Sequence, residues 1–325
     1  MIGRRLAGGI LIGTVAAVTM AAPALAPFDP AEQHPGYPYA PPPRLHLFAG
    51  RTAWRGPFVY PVRLIDRLDR RYEAVPEPVS VWDAWLRRAE CADCETLFLL
   101  GTDGLGRDVL SRLLTGGRWS LGIAVSATLG ALIIGVTVGA IAGFARGIVD
   151  ELAMRAAELV LILPTLYVIL SLRAALPLVL QPVQVFAAIA AALACLGWPG
   201  IARGVRSIVA VEFTREYVEA ARAAGASPGR LLLRHVLPAT YDFLAGQAAL
   251  LVSAFVIAES TLSFVGFGFS DPTPSWGGML RDAGTFTALG EYPWLLAPAG
   301  AIVVVSWGLH ALGDSESDAS ASAAR

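Results

Sequence analysis

Glu219-Ala220-Ala221-Arg222-Ala223-Ala224-Gly225-Ala226-Ser227-Pro228 is a charged stretch set between apolar runs that are each long enough to cross a bilayer. Residues 212–224 are dominated by good helix formers, and Gly225 stands where a helix stops in the left-handed conformation. Ser227 is suited to cap a second helix, and Pro228 to take its first position, where a missing N–H costs nothing. Arg234-His235-Val236-Leu237-Pro238 closes the segment. The pattern predicts a helix, a Gly hinge and a second helix ending at Pro238, all exposed between two membrane spans.

Outward from this stretch the chain is apolar. Of its 325 residues, 55% are hydrophobic and only 16% charged, which argues against the two soluble domains that length alone would allow. With 25 basic and 26 acidic residues the net charge is −1, so neither a nucleic-acid patch nor an acidic tail is indicated. Apart from His, every basic residue is Arg; the chain has no Lys. A phosphate-binding loop needs Gly-Lys-Ser/Thr and a Schiff-base enzyme needs Lys, so this chain is not expected to hydrolyse ATP by itself. His310 and Cys195 stand alone in apolar runs, and no catalytic residue, cofactor or metal site is expected.

Six runs are long enough to span: residues 6–26, 119–144, 156–176, 183–201, 244–264 and 294–312. The first also fits a secretory signal peptide, with Ala24-Leu25-Ala26 as a cleavage site, but its length and Pro27 directly after favour an uncleaved anchor. Gly130, Gly135, Gly139 and Gly143 would let helices approach closely in lipid. Pro164 is expected to kink the third span. Arg4, Arg5, Arg146, Arg155, Arg203, Arg206, Arg215, Arg222, Arg230 and Arg234 all fall on one side, against Arg173 and Arg281 in the other side's short loops. The positive-inside rule makes the Arg-rich side cytoplasmic, with both termini. The expected architecture is therefore an all-α integral membrane chain of six transmembrane helices. Residues 1–27 form the first helix, 28–118 a long extracytoplasmic loop, 119–313 a five-helix core containing the charged loop 203–240, and 314–325 a polar, disordered tail.

Within the long loop, Arg63-Leu64-Ile65-Asp66-Arg67-Leu68-Asp69-Arg70 has helical spacing of opposite charges and reads as a solvated surface helix. Residues 80–88 read as a short helix with Trp82 and Trp85 on one face at the membrane interface. Cys91 and Cys94 form a CxxC without a second pair or nearby His, so a local disulfide on the oxidising side is a better reading than redox catalysis or zinc. Glu259, inside the fifth run, is either a pathway residue or a carboxyl satisfied near the outer end of its helix.

Three motifs carry a family resemblance. Glu219-Ala220-Ala221 with Gly225 and Leu237-Pro238 resembles the cytoplasmic coupling loop of permease subunits of binding-protein-dependent ABC importers. Thr102-Asp103 with Gly106-Arg107-Asp108 resembles the segment before the second span in the dipeptide/oligopeptide/nickel branch, where Asp108 and Arg112 can pair on a helix. Leu262-Ser263-Phe264 with Gly266 and Gly268, then Pro272-Thr273-Pro274-Ser275-Trp276-Gly277, is similar to the same branch's outer loop, with Trp276 placed to anchor at the headgroups. The chain departs from the family after Leu312-Gly313-Asp314, where a basic residue is usual.

The resemblance implies a bacterial or archaeal plasma-membrane permease that passes solute, peptides in the first place, through a heterodimeric pathway. Its implied partners are a second permease subunit, two ATP-binding subunits and an extracytoplasmic solute-binding protein. It assigns ATPase coupling to Glu219, Ala220, Ala221, Gly225, Ser227, Pro228 and Pro238. The alternative is an ion-coupled secondary transporter that titrates Glu259 and has no need of the coupling loop.

Overall fold

The computed structural model describes residues 2–49, 53–66, 70–75, 78–85, 97–175, 177, 180–284 and 290–323. Its helices in chain order are α1 (Ile2–Met20), α2 (Ala22–Leu25), α3 (Val81–Trp85), α4 (Val109–Ala145), α5 (Gly147–Ile162), α6 (Thr165–Ala175) and α7 (Pro182–Glu212). They continue with α8 (Glu216–Ala223), α9 (Pro228–Arg230), α10 (Tyr241–Val265), α11 (Trp276–Asp282) and α12 (Ala297–Ala323). Five strands, β1 (Leu45–Ala49), β2 (Ala53–Val59), β3 (Val62–Asp66), β4 (Arg71–Ala74) and β5 (Val79–Ser80), form a three-stranded sheet in the order β1-β2-β5 and a separate β3-β4 pair. The chain divides into two compact units: Met1–Thr14, Leu121–Leu262 and Val303–Arg325 in one, Val15–Ser120 and Ser263–Ile302 in the other.

Among the described residues, four helical segments are long and apolar enough to cross a membrane: Val109–Ala145, Pro182–Glu212, Pro228–Val265 and Pro293–Leu312. A fifth candidate is the pair Gly147–Ile162 and Thr165–Ser171, bent by 81°. The bend falls at Leu163-Pro164, so Pro164 does more than kink the third run; it divides it. The described apolar part of the first run, Gly8–Met20, is shorter than a span, and its helix breaks before Ala22.

In the first unit, α4 and α7 are held together by absent side chains. A Cβ at Gly130 would lie 2.8 Å from the Ala194 Cβ, at Gly135 2.6 Å from the Ile201 Cβ, and at Gly143 2.8 Å from the Arg206 carbonyl oxygen. At Gly139 it would run into the Ala202 carbonyl. In lipid there is no hydrophobic drive between helices, so such close approach supplies dispersion contact along their length. Ile201, Ala202, Val205 and Val209 of α7 are buried on this face. The α5 helix adds charge to α7: Arg206 donates to Asp150 through Nε at 2.8 Å and Nη2 at 2.5 Å, and Arg203 lies 3.8 Å from Glu158.

The second unit corrects the all-α expectation. Of the run 63–70, read as a helix, residues 63–66 belong to a strand whose exposure alternates along Val62–Asp66 and whose register places Arg63 opposite Glu73, while 67–69 lie outside the described residues. Opposite charges a few residues apart suit a helix face, but they equally suit cross-strand pairing, and Val62 and Ile65 favour the strand. Apolar residues gather in three clusters: Val59, Val79 and Leu97; Phe28, Tyr37, Ala40 and Phe98; and Val109, Met279, Ala283 and Leu295. Of the short helix expected over 80–88, Val81–Trp85 is helical as α3, with Trp82 exposed, and 86–88 lie outside the described residues. At the C-terminus, where disorder was expected, the backbone of α12 runs on to Ala323, consistent with the good helix formers Ala and Glu among the Ser and Asp of this tail.

The close α4–α7 approach makes a paired prediction. Gly139→Ala should destabilise the purified protein by about 1–3 kcal/mol, read as a lower unfolding temperature in detergent. Gly200→Ala, on α7 where a Cβ meets nothing within 4 Å, should leave it unchanged or raise it. Equal behaviour of the two variants would contradict the packing account.

Candidate functional site

The loop that follows α7 is built as a short exposed helix on one apolar anchor. After Glu212 the chain turns through Phe213, which is buried, and α8 begins at Glu216. Val218 is fully buried, whereas Glu216, Tyr217, Glu219, Ala220 and Arg222 are exposed and Ala221 is half-buried. The Tyr217 hydroxyl donates to Glu212 Oε2 at 2.6 Å and also lies 3.2 Å from the His235 carbonyl, tying α8 to the end of α7 and to the segment beyond. The bond to Glu212 is the main cause that raises the Tyr217 pKa.

Gly225 has φ +84°, as the sequence predicts. Its N–H donates to the Arg222 carbonyl at 3.0 Å, and that of Ala226 to the Ala221 carbonyl at 3.1 Å, the paired bonds of a Schellman turn. A Cβ at Gly225 would meet nothing within 4 Å, so the requirement for Gly is conformational, not steric. Residues 222–225 and 227–230 are exposed, giving a continuous polar ridge from α8 across the turn. Among the described residues the Glu219 carboxylate has no hydrogen bond or ion pair within the chain.

Two expectations for this loop need correction. Ser227 occupies the N-cap of α9, and Pro228 its first position, but the Ser227 side chain makes no capping bond; its carbonyl accepts from Leu231 N–H. The second helix also does not end at Pro238. Leu231–Val236 widens into a π-turn, in which Leu237 N–H reaches the Leu232 carbonyl, then Leu237–Thr240 tightens into a 3₁₀ turn that leads directly into α10. Widening the helix ahead of Pro238 accommodates a ring and a missing N–H that a regular helix would not. The exposed loop is therefore continuous with the span Pro228–Val265.

Glu259 lies on that same span and is fully buried. Ser253, Ser260 and Ser263 on the same helix are buried as well, which makes this stretch of α10 unusually polar for its depth. Cys91 and Cys94 lie outside the described residues. Cys195, on α7, is exposed and free.

In the second unit the Gly106-Arg107-Asp108 motif is a charge centre, which its sequence only partly announces. Asp103 Oδ1 accepts from the backbone N–H of Leu105 and Arg107, closing a tight loop. The Arg107 side chain is 3% exposed and reaches three carboxylates: Asp103 at 2.6 Å, Asp271 at 2.7 Å and Asp282 at 3.2 Å. Arg112, equally buried, stands 3.6–3.9 Å from the same three. The expected Asp108–Arg112 pair is thus replaced. Asp108 instead accepts from the N–H and hydroxyl of Ser111, and burial pushes its carboxyl above the usual range. Burial likewise raises the pKa of Asp282, against the pull of Arg107 and Arg112. Only Asp103, 6% exposed, is buried with the two guanidiniums, and its removal would strand them at a cost of about 3–5 kcal/mol; the partly exposed Asp271 and Asp282 contribute less.

Trp276 is not the headgroup anchor its sequence context suggested. It is 1% exposed; its N–H donates to Ser120 Oγ at 3.2 Å and its indole N–H to the Leu113 carbonyl at 3.0 Å. A buried indole with a satisfied donor is a packing residue, which one-dimensional hydropathy cannot separate from an interfacial one.

With this geometry established, known proteins agree on one family. The family described as the binding-protein-dependent transport system inner membrane component matches residues 135–314. The oligopeptide transport system permease protein OppC of Bacillus subtilis (strain 168) is 37% identical over 220 residues, 67% of this chain and 70% of the relative. The di/tripeptide transport system permease protein DppC of Pseudomonas aeruginosa (strain UCBPP-PA14) is 38% identical over 223 residues, covering 68% and 71%. Among solved structures, an inward-facing conformation of the MetNI methionine ABC transporter superposes with a TM-score of 0.48 at 17% identity, over 63% of this chain and 96% of that one. The chain belongs to the inner membrane components of binding-protein-dependent ABC transport systems, as a permease of the branch that includes the peptide permeases.

Proposed function

We propose that this chain is one half of a heterodimeric peptide importer, and that the ridge over residues 216–230 receives the motion of its ATPase partners. The observation that carries the proposal is the loop's construction: a helix and turn exposed except at Val218, Ala221 and Ala226, fixed by Val218 and Tyr217, and continuous with a spanning helix. An exposed amphipathic helix laid in a partner's groove is a standard recognition mode. The peptide assignment follows from relatives named for oligopeptides and di/tripeptides.

In this reading the membrane core has six spans, with residues 1–27 as the first, 28–118 outside the cell, 119–313 as the five-helix core and 314–325 as the cytoplasmic tail. Two ATP-binding subunits close on ATP and carry Glu219, Ala220, Ala221, Gly225, Ser227 and Pro228 with them. Pro238 lies where that motion passes into α10. A second permease completes the pathway, and an extracytoplasmic binding protein delivers the solute. Glu219, exposed and without a partner among the described residues, is assigned to meet a basic group of the ATPase. Glu259, on the helix the loop drives, is a pathway candidate. Cys91 and Cys94 form a structural disulfide outside. Family membership favours this account over an ion-coupled carrier.

Topology is checked with single cysteines in sealed cells. Trp54→Cys should react with a membrane-impermeant maleimide and Arg222→Cys should not; the reverse would refute the orientation. Coupling is checked by uptake of labelled trialanine and by stimulated ATP hydrolysis in the assembled transporter. Gly225→Val requires a β-branched residue at positive φ, a local cost of about 1–2 kcal/mol, and should insert normally while losing at least tenfold in uptake. Glu219→Ala should lose uptake and ATPase stimulation together, since coupling is reciprocal. Wild-type uptake by Gly225→Val at normal abundance would remove the coupling role from this loop.

A further inference from the structure

Within the second unit, several chain segments meet around the Arg107 cluster. The Asp103–Arg107–Arg112 side joins the start of α4 to Asp271, ahead of α11, and to Asp282, the last residue of α11. Gly116 and Gly117 of α4 pack directly on the α11 entry: a Cβ at Gly116 would lie 3.3 Å from Ser275 Cα, and one at Gly117 would lie 3.0 Å from the Trp276 ring and 2.7 Å from Thr19 Cγ2 near the end of α1. The Arg281 guanidinium covers Gly266, just past α10, where a Cβ would come within 2.7 Å of Nη1. Trp294, in the turn before α12, donates its indole N–H to the Thr102 carbonyl at 3.0 Å. Val109, Met279, Ala283 and Leu295 fill the space beneath.

We propose that the Arg107 cluster and the buried Trp276 form an outer clasp that stays closed throughout the transport cycle, so that the ends of α1, α4, α10 and α12 held by it move as one body. Alternating access works by sliding or rotating packed elements between two arrangements that each satisfy their contacts. This clasp has no second arrangement. On opening, two guanidiniums, each 3% exposed, would lose the partly exposed Asp271 and Asp282 and keep only Asp103 to balance two buried charges. The cavity left among Asp103, Val109, Arg112, Met279, Asp282 and Leu295 is about 10 Å³, room for at most one water. The moving joint must therefore lie elsewhere among the spans, and Arg107 acts as a positioning residue.

The inference rests on the importer reading, and its test separates the two. In a background with Cys91, Cys94 and Cys195 replaced by Ser, Gly116→Cys and Ser275→Cys are combined; their backbones are close enough for a disulfide. Uptake of labelled trialanine is measured in the reduced, oxidised and re-reduced protein. The clasp predicts that the oxidised form keeps at least half the uptake of the reduced form. A tenfold loss on oxidation, restored by reductant, overturns it. Failure of the reduced form to import trialanine speaks against the peptide reading alone. Hydrogen exchange of the wild-type chain in the assembled transporter then decides the clasp. Amide protection of the segment containing Trp276 and Met279 should agree within threefold between nucleotide-free and ATP-trapped states, and a tenfold loss in either state overturns the proposal.

Discussion

Close approach of helices without side chains between them is the constraint on which the membrane core depends. Lipid tails compete with any apolar side chain for contact, so helix association has to come from backbones that come near enough for extensive dispersion. Gly130, Gly135, Gly139 and Gly143 give α4 that surface, and Ile201, Ala202, Val205 and Val209 of α7 fill it. The consequence reaches the functional loop. Because α7 is fixed against α4, and bound to α5 through Asp150–Arg206, the point at which α8 leaves the core is fixed too. Movement applied to the ridge at residues 216–230 has a firm base on one side and a continuous helix into α10 on the other.

Much of the loop was legible before any coordinates. Gly225 announced a left-handed turn because only that residue suits the end of an Ala-rich helix at that point, and the turn is present with φ +84°. The stripe of small residues announced a helix interface, although not its partner. What the sequence could not give was continuity: Pro238 reads as a stop, yet a π-turn absorbs it, because the widened ring of hydrogen bonds removes the clash that makes proline a breaker. Periodicity failed in the second unit for a related reason. Arg63 stands opposite Glu73 in the β3-β4 pair, and a charge pattern of this kind satisfies helix and strand templates alike.

The Arg107 charge centre was the least legible. Asp103, Arg107, Asp271 and Asp282 are spread over 164 to 175 residues of separation from Arg107 in two of the three pairs, so nothing local marks them as one group. Local reasoning supplied the nearer partner Asp108, which the structure assigns to Ser111 instead. A usable signal was present in the buried motif itself: an Arg and two Asp within seven residues, beside glycines at positive φ, imply a folded loop with charges turned inward.

The central claim is that this exposed loop is where the permease meets its ATPase. Its most direct test is a photoreactive cross-linker placed at position 222 of the chain, in the assembled transporter in native membranes, with a second placed at position 45 of the β1-β2-β5 sheet. The account predicts a covalent adduct between the chain and an ATP-binding subunit from position 222, strengthened on ATP trapping, and none from position 45. An adduct-free position 222 in a transporter that imports solute would contradict it.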